Sequence, residues 1–454
     1  MPQDACVVSA MLAQQDAASE AACQAAAGLA LYQGVLDDPV GSAMRALLGL
    51  LAAACPEPAE VRRAYNHLFV LLAEERELDP AGLPGDAWQA HLLRRLLHDD
   101  NPFSRKAQAA PLAAMGAALL EQARRELRAL QTLFALAPTE LAERAARLCG
   151  EPRPFPSWDE LRPLGWADPP EVVTRLREST DWGALAEVLA EHYAAAGSGI
   201  FARFLAFRWV HRGGESVLEG VAHPDPVRLE DLVGYEAERE PVVRNTERFV
   251  AGLPANNVLL YGDRGTGKSS TVKALLTAFA PRGLRLVEVP KEALGDFPRL
   301  ASLLRGRRER FLVFVDDLSF EEHETEYKAL KAILEGSLEA RPENVVLYAT
   351  SNRRHLVRQR FADRDSAADD IHLGDTVEEK LSLSDRFGLR VRFLAPDQPR
   401  YLAIVQALAS RRGLELPEEE LQQRALRWAA RHGGRSARTA RQFVDHLAGE
   451  LALP

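Results

Sequence analysis

"NVLLYGDRGTGKSS", Asn257 to Ser270, is a short apolar run that passes into a glycine-rich loop and then into a helical pattern. The loop reads Gly262-Asp263-Arg264-Gly265-Thr266-Gly267-Lys268-Ser269, the full spacing G-x4-G-K-S. Each residue type has a physical task there. Glycines take dihedrals closed to other residues, so successive backbone N–H groups can face one anion, and the helix that follows adds the positive end of its dipole. In such a loop Lys268 reaches the terminal phosphates and the Ser269 hydroxyl ligates Mg²⁺, while Gly262, Gly265, Thr266, Gly267 and Ser270 complete the cradle. The sequence therefore predicts a triphosphate site with Mg²⁺ held beside the phosphates.

The partner of this loop is "FLVFVDDLSF", Phe311 to Phe320. Its apolar residues drive a buried strand whose C-terminal end delivers a carboxylate, Asp316, to the metal side of the phosphates. A third run, "NVVLYATSNRRHL", ends in Thr350 and Asn352, polar groups suited to orienting an attacking water, with Arg353 and Arg354 as surface or interface charges. Arg386 precedes a further strand, where an arginine either projects toward the nucleotide of a neighbouring subunit or forms an ordinary structural ion pair. In "GGRSARTARQF" Ser436 is a good N-cap, and Arg435, Arg438 and Arg441 crowd the start of a helix. Arginines there oppose the helix dipole, which favours a phosphate contact.

Outward from these motifs, five short aliphatic runs alternate with helix-sized segments: 257–261, 284–290, 311–317, 344–351 and 389–396. That is the sequence form of a parallel sheet covered on both faces. Residues 1–222 carry apolar positions at helical intervals in strong helix formers, broken by "CPEPAE" and "EPRPFPSWDELRP". The expected organisation is an all-helical domain over 1–222, an α/β nucleotide-binding domain over 223–396 and a helical lid over 397–454.

At 454 residues the chain exceeds what one core usually organises, in keeping with several packed units. A formal charge of −9 argues against coating nucleic acid through bulk charge. Cys6, Cys23, Cys55 and Cys149 lack metal-site spacing and sit among Ala and Leu, so they read as buried free thiols of a reducing compartment. The N-terminal stretch has acids where a secretory signal needs basic residues, and no apolar run reaches the roughly 20 residues that span a bilayer. A cytoplasmic protein without membrane contact is expected.

Taken together these strings resemble the AAA+ ATPase superfamily. "PANNVLLYGDRGTGKSS", "FVDDLSF", "YKALKAILEG", "YATSNRRHL", "EEKLSLSDRFGL" and "GRSARTARQF", with "DLVGYE" ahead of the first strand, look more narrowly like the bacterial family known as domain of unknown function 815. The resemblance runs from about Gly197 to the C-terminus. It implies Lys268 and Ser269 as Walker A, Asp316 and Asp317 as Walker B, Asn352 as sensor 1, Arg386 as an arginine finger acting in trans within a homo-oligomer, and Arg438 as sensor 2. The superfamily pattern has Glu where Asp317 stands, as the base that polarises water. Asp is one methylene shorter, so the resemblance implies slow basal hydrolysis, stimulated by assembly or a client protein, with Glu321 or Glu322 as weaker substitutes for the base.

Two further features have plainer readings. Phe201, Phe204, Phe207 and Trp209 with Arg203, Arg208 and Arg212 invite base stacking, but the Phe spacing is one helical face suited to packing. Arg411, Arg412, Arg424, Arg427 and Arg431 offer weak support for nucleic-acid binding against a solvated helix face with acidic partners. Residues 361–381 read either as a nucleotide-reporting loop or as a plain insertion.

Overall fold

The computed structural model describes residues 17–79, 82–320, 326–335, 341–352 and 382–452. Arg353, Arg354, Glu321, Glu322, Cys6 and the 361–381 segment lie outside the described residues. The chain divides into two compact units, Met1–Arg203 and Phe204–Pro454.

The first unit is helical. Its longer helices include Pro39–Ala52, Pro58–Glu77, Ala87–Leu97, Ala117–Phe134 and Ala186–Ala196. Proline opens several of them, as at Pro39 behind the Asp38 N-cap, where a missing N–H costs nothing. Trp88, Trp158, Trp182, Tyr32 and Tyr65 are fully buried in one apolar core. Buried Glu126 fixes the turn before Tyr32 by accepting the backbone N–H groups of Ala30, Leu31 and Tyr32 at 3.0, 3.0 and 2.9 Å. The described cysteines depart from expectation: Cys55 is exposed, and Cys23 and Cys149 are half-buried. Cys55 stands at the Pro-rich break after helix Pro39–Ala52, where the chain leaves the core.

The second unit is an α/β domain on a seven-stranded sheet: β1 (Ala206–Arg212), β2 (Glu215–Val221), β3 (Val258–Gly262), β4 (Leu284–Glu288), β5 (Arg310–Val315), β6 (Val345–Ser351) and β7 (Leu389–Phe393). Their order is β2-β1-β4-β5-β6-β3-β7. The five expected strands are present and mutually parallel, with β3 between β6 and β7. β6 is buried along its whole length and β5 at all but its first residue, which is why both read as continuous apolar runs.

Two strands were not expected. β1 and β2 form an antiparallel hairpin whose register ends at Arg212 opposite Glu215, with Gly213 and Gly214 between them at φ +57° and +88°. Two left-handed residues make the tight turn that matches strand twist, and glycine takes them without strain. β1 then adds in parallel to β4, so residues 206–221 belong to the α/β unit and not to a helical segment ending at 222. The local helix stops at Arg203, and Phe207 lies on a strand. Phe207 and Trp209 are buried, while Arg208 and Arg212 pair with Glu288 and Glu219, so these residues offer no stacking platform.

After β7 come the helices Gln398–Arg411, Glu418–Arg431 and Ala437–Ala452. Tyr401, Ile404, Ala425, Phe443 and Leu447 on these helices share one apolar cluster with Leu260, Leu312 and Tyr348 of the sheet. Their arginines are largely engaged locally: Arg412 with Asp445 at 2.5 Å, Arg424 with Glu450, and Arg411 with the carbonyl of Glu230. No described helix is long and apolar enough to cross a membrane.

Candidate functional site

β3 ends at Gly262, where the chain must pass very close to β7. A Cβ at Gly262 would stand 2.0 Å from the carbonyl oxygen of Phe393, and φ is +131°, so only glycine fits. The loop that follows closes over a cavity of 620 Å³ at the C-terminal ends of β3, β5 and β6, the edge at which open parallel sheets hold ligands. Gly265, Thr266, Gly267, Lys268, Ser269 and Ser270 line it, whereas Gly262 is not among its lining residues. Helix Lys268–Phe279 begins at the cavity, with its N-terminal amides and dipole on that side.

The polar side chains converge in two pairs. Ser269 Oγ donates to Asp316 Oδ1 at 2.6 Å, and the same oxygen accepts Thr350 Oγ1 at 2.5 Å and the N–H of Asp317 at 3.1 Å. Three donors on one oxygen fix the Asp316 carboxylate. Thr350 is thus engaged in aligning Asp316, and it is Asn352 that reaches further. Asn352 Nδ2 donates to Asp317 Oδ1 at 2.6 Å, while its Oδ1 accepts from Lys268 Nζ at 3.0 Å. Lys268 also donates to the carbonyls of Gly262 and Asp263 at 3.0 and 2.7 Å. Burial lowers the pKa of this ammonium, against the attraction of Asp263, Asp317 and Asp316. It is a desolvated cation aimed at the loop.

Asp317 has a left-handed backbone, φ +50°. Among the described non-glycine residues only Tyr235 shares that feature, at φ +63°, and both line the cavity. Strained backbone of this kind collects at ligand clamps and active sites.

The lid reaches the same space. Arg438 and Arg441 line the cavity, and the N–H of Arg438 donates to the Gly265 carbonyl at 3.1 Å. Ser436 caps this helix by accepting the N–H of Thr439 at 3.0 Å. Arg386, on the turn Ser382–Arg386, is half-buried and is not among the described residues that line the cavity.

Sequence reasoning missed the far wall. Leu232 and Val233 face the cavity from before the first α/β helix, and Ile404 and Leu408 from the first lid helix. Nothing in the local sequence of the lid helix announces an apolar slot, because it arises only when the lid folds back. The one hint was "DLVGYE" itself, Asp231 to Glu236.

Sheet order, glycine loop and returning helical lid give the second unit a P-loop α/β fold of the AAA+ kind. The chain belongs to the family described as Protein of unknown function (DUF815), which matches residues 202–451. No curated protein matches the sequence. Among solved structures, the Thermotoga maritima RuvB Holliday junction branch migration motor is 17% identical, with a TM-score of 0.35, over 50% of this chain and 66% of that one. The Aeropyrum pernix ORC1 protein in complex with DNA is 19% identical at a TM-score of 0.35, covering 49% of this chain and 60% of that chain. The FIGL-1 AAA domain in complex with ADP is 17% identical at a TM-score of 0.32, with 49% and 73% covered.

Proposed function

We propose that the chain binds ATP with Mg²⁺ in this cavity and hydrolyses it slowly in isolation, moving the lid to remodel or load a protein client. The observation that carries this reading is the convergence of three groups at one mouth: the Lys268 ammonium, the Ser269–Asp316 pair at 2.6 Å and the Asn352–Asp317 pair at 2.6 Å. The donor set suits the metal. Magnesium takes oxygen ligands, keeps several waters and needs only one or two protein groups beside the phosphates, and Ser269 Oγ and Asp316 supply that number. Among the described residues no cluster of three or more His, Cys, Asp or Glu offers an all-protein metal site. When bound, Mg²⁺ neutralises charge developing on the phosphate oxygens.

The chain's own groups do the rest. The loop amides and Lys268 hold the phosphates, Asp317 accepts a proton from water, and Asn352 fixes the carboxylate that does so. Arg438 and Arg441 add positive charge from the lid, while Leu232, Val233, Ile404 and Leu408 suit the flat apolar faces of a base. Arg386, away from its own cavity lining, acts in the site of a neighbouring copy in a homo-oligomer. A reducing, cytoplasmic setting accompanies the free thiols of Cys23, Cys55 and Cys149.

A second reading, a nucleotide-gated module that rarely hydrolyses, is favoured by Asp317 alone: its short side chain is already tied to Asn352. Phosphate release measured across a range of protein concentrations, with and without protein fractions, separates the two. Slow turnover that rises with concentration or client is expected. Fast, concentration-independent turnover contradicts the need for assembly, and none under any condition favours the gated module.

A further inference from the structure

The connection from β7 to the lid passes through a single peptide group held at both ends. Its carbonyl, that of Leu394, accepts the Tyr235 hydroxyl at 2.6 Å. Its N–H, that of Ala395, donates to Asp263 Oδ2 at 2.6 Å. This peptide lies just past the last ladder residue of β7, and both Leu394 and Ala395 are exposed. Water would satisfy the exposed Ala395 N–H without the Asp263 carboxylate, whereas the buried Tyr235 needs an acceptor for its hydroxyl.

The two holders come from different segments of the chain, and of the two only Tyr235 lines the cavity. Asp263 belongs to the phosphate loop. Its N–H donates to the Phe393 carbonyl at 2.9 Å, and its carbonyl accepts the Lys268 ammonium at 2.7 Å. Tyr235 follows Leu232 and Val233 on the apolar side. Its ring stacks on Phe393 at 5.4 Å and lies 3.9 Å beneath the Arg400 guanidinium, itself forked onto Glu238 at 3.0 and 2.9 Å. Burial pushes the Tyr235 hydroxyl up to about 12, so it remains a donor at neutral pH. Two residues beyond Ala395, Asp397 caps the first lid helix by accepting the N–H of Arg400 at 2.9 Å.

We propose that the Leu394–Ala395 peptide is the joint through which occupancy of the phosphate loop sets the lid, with Asp263 and Tyr235 as its positioning residues. The proposal rests on the nucleotide reading above. Phosphates that engage the Lys268 ammonium compete with the Asp263 carbonyl for it. Any adjustment of Asp263 is passed through its carboxylate to Ala395, and from there to the Asp397 cap. Tyr235 reports the base side to the other end of the same peptide plane, so both halves of a nucleotide act on one rotation.

The test is hydrogen–deuterium exchange on the full chain, with and without ATP and magnesium. Wild type is compared with Asp263→Ala, Asp263→Asn and Tyr235→Phe. Without nucleotide, the Ala395 amide is expected to exchange about tenfold faster in Asp263→Ala, the value of one charge-assisted hydrogen bond. Asp263→Asn keeps an accepting oxygen and is expected to stay near wild type. With ATP and magnesium, amides of Gly265–Ser269 slow in all four proteins. Those of Gln398–Arg411 slow in wild type and Asp263→Asn, and that slowing is lost in Asp263→Ala and Tyr235→Phe. An unchanged lid response in the latter two, with the loop still protected, overturns the joint and leaves the nucleotide site standing. No protection of the loop in wild type overturns the nucleotide reading, and the joint with it.

Discussion

At position 317 the chain leaves β5 with φ +50°, a conformation in which Asp and Asn are several-fold enriched over other non-glycine residues. The backbone there accepts a short acid more readily than a long one, which gives a physical reason for Asp-Asp where the superfamily pattern has Asp-Glu. Asp317→Asn keeps both the size and the left-handed tolerance and removes only the proton acceptor. Turnover is expected to fall about 10²- to 10⁴-fold, with the thermal midpoint unchanged, in paired phosphate-release and unfolding measurements. Full turnover in that variant would remove Asp317 from the chemistry. The loop residues Gly265 to Ser270 were legible because their chemistry requires that spacing in one continuous stretch. The left-handed turn at Asp317 was not, since its sequence shows only an acid ending an apolar run.

Among the elements, helix Ala87–Leu97 carries a buried histidine between two acids. His91 Nδ1 lies 2.8 Å from Glu75 Oε2, and Nε2 lies 3.2 Å from Asp38 Oδ2. Arg94 meets Glu75 at 2.5 Å and Arg95 meets Asp38 at 3.1 Å. Burial alone lowers the imidazole pKa, but the carboxylates of Asp38 and Glu75 on either side outweigh it and raise it above its ordinary 6.5. Burial likewise works to raise both acids, yet the His91 hydrogen bond and charge hold them below their ordinary 3.8 and 4.5. A raised histidine contributes stability that is whole below 6.5 and is lost as pH climbs through its folded value. The depressed acids contribute stability that is whole above 4.5 and is lost as pH falls through their folded values. The first unit should therefore hold a plateau between those limits and lose stability on the alkaline side, and His91→Gln should flatten that alkaline decline. Denaturant unfolding at a series of pH values, followed by the tryptophans of this unit, reads it directly; an unaltered alkaline slope in the variant contradicts it.

β5 and β6 were readable because their burial on both faces writes itself as unbroken apolar runs, while the edge strand β7 alternates Leu389, Val391 and Phe393 with the exposed Arg390 and Arg392. The hairpin β1–β2 was not. "FRWVHR" and "ESVLEG" alternate with charges, and Phe201, Phe204 and Phe207 imitate a helical stripe across what is in fact a helix end and a strand start. Gly213-Gly214 between two such runs was the available signal. Helix Gln398–Arg411 carries its own start signal in Asp397 followed by a proline in its first turn. Replacing Asp397 by Ala is expected to cost about 1 kcal/mol, seen as a lower thermal midpoint of the α/β unit.

For the molecule as a whole, the proposal of a homo-oligomer turns on Arg386. Arg386→Ala is expected to lower turnover about 10³- to 10⁵-fold while leaving ATP binding in place. Mixed with Lys268→Ala, it should recover part of the lost activity, because a Lys268→Ala neighbour still offers an intact Arg386 to a competent loop. Equal activity of Arg386→Ala and wild type contradicts the trans arrangement. All of this presupposes that the cavity holds a nucleotide, and calorimetric titration of ATP with magnesium into the folded chain tests that most directly. A saturable heat with one site per chain is the expected result, with affinity about 10- to 100-fold weaker in Lys268→Ala as one charged phosphate contact is removed. No heat of binding to folded wild-type protein would contradict the account.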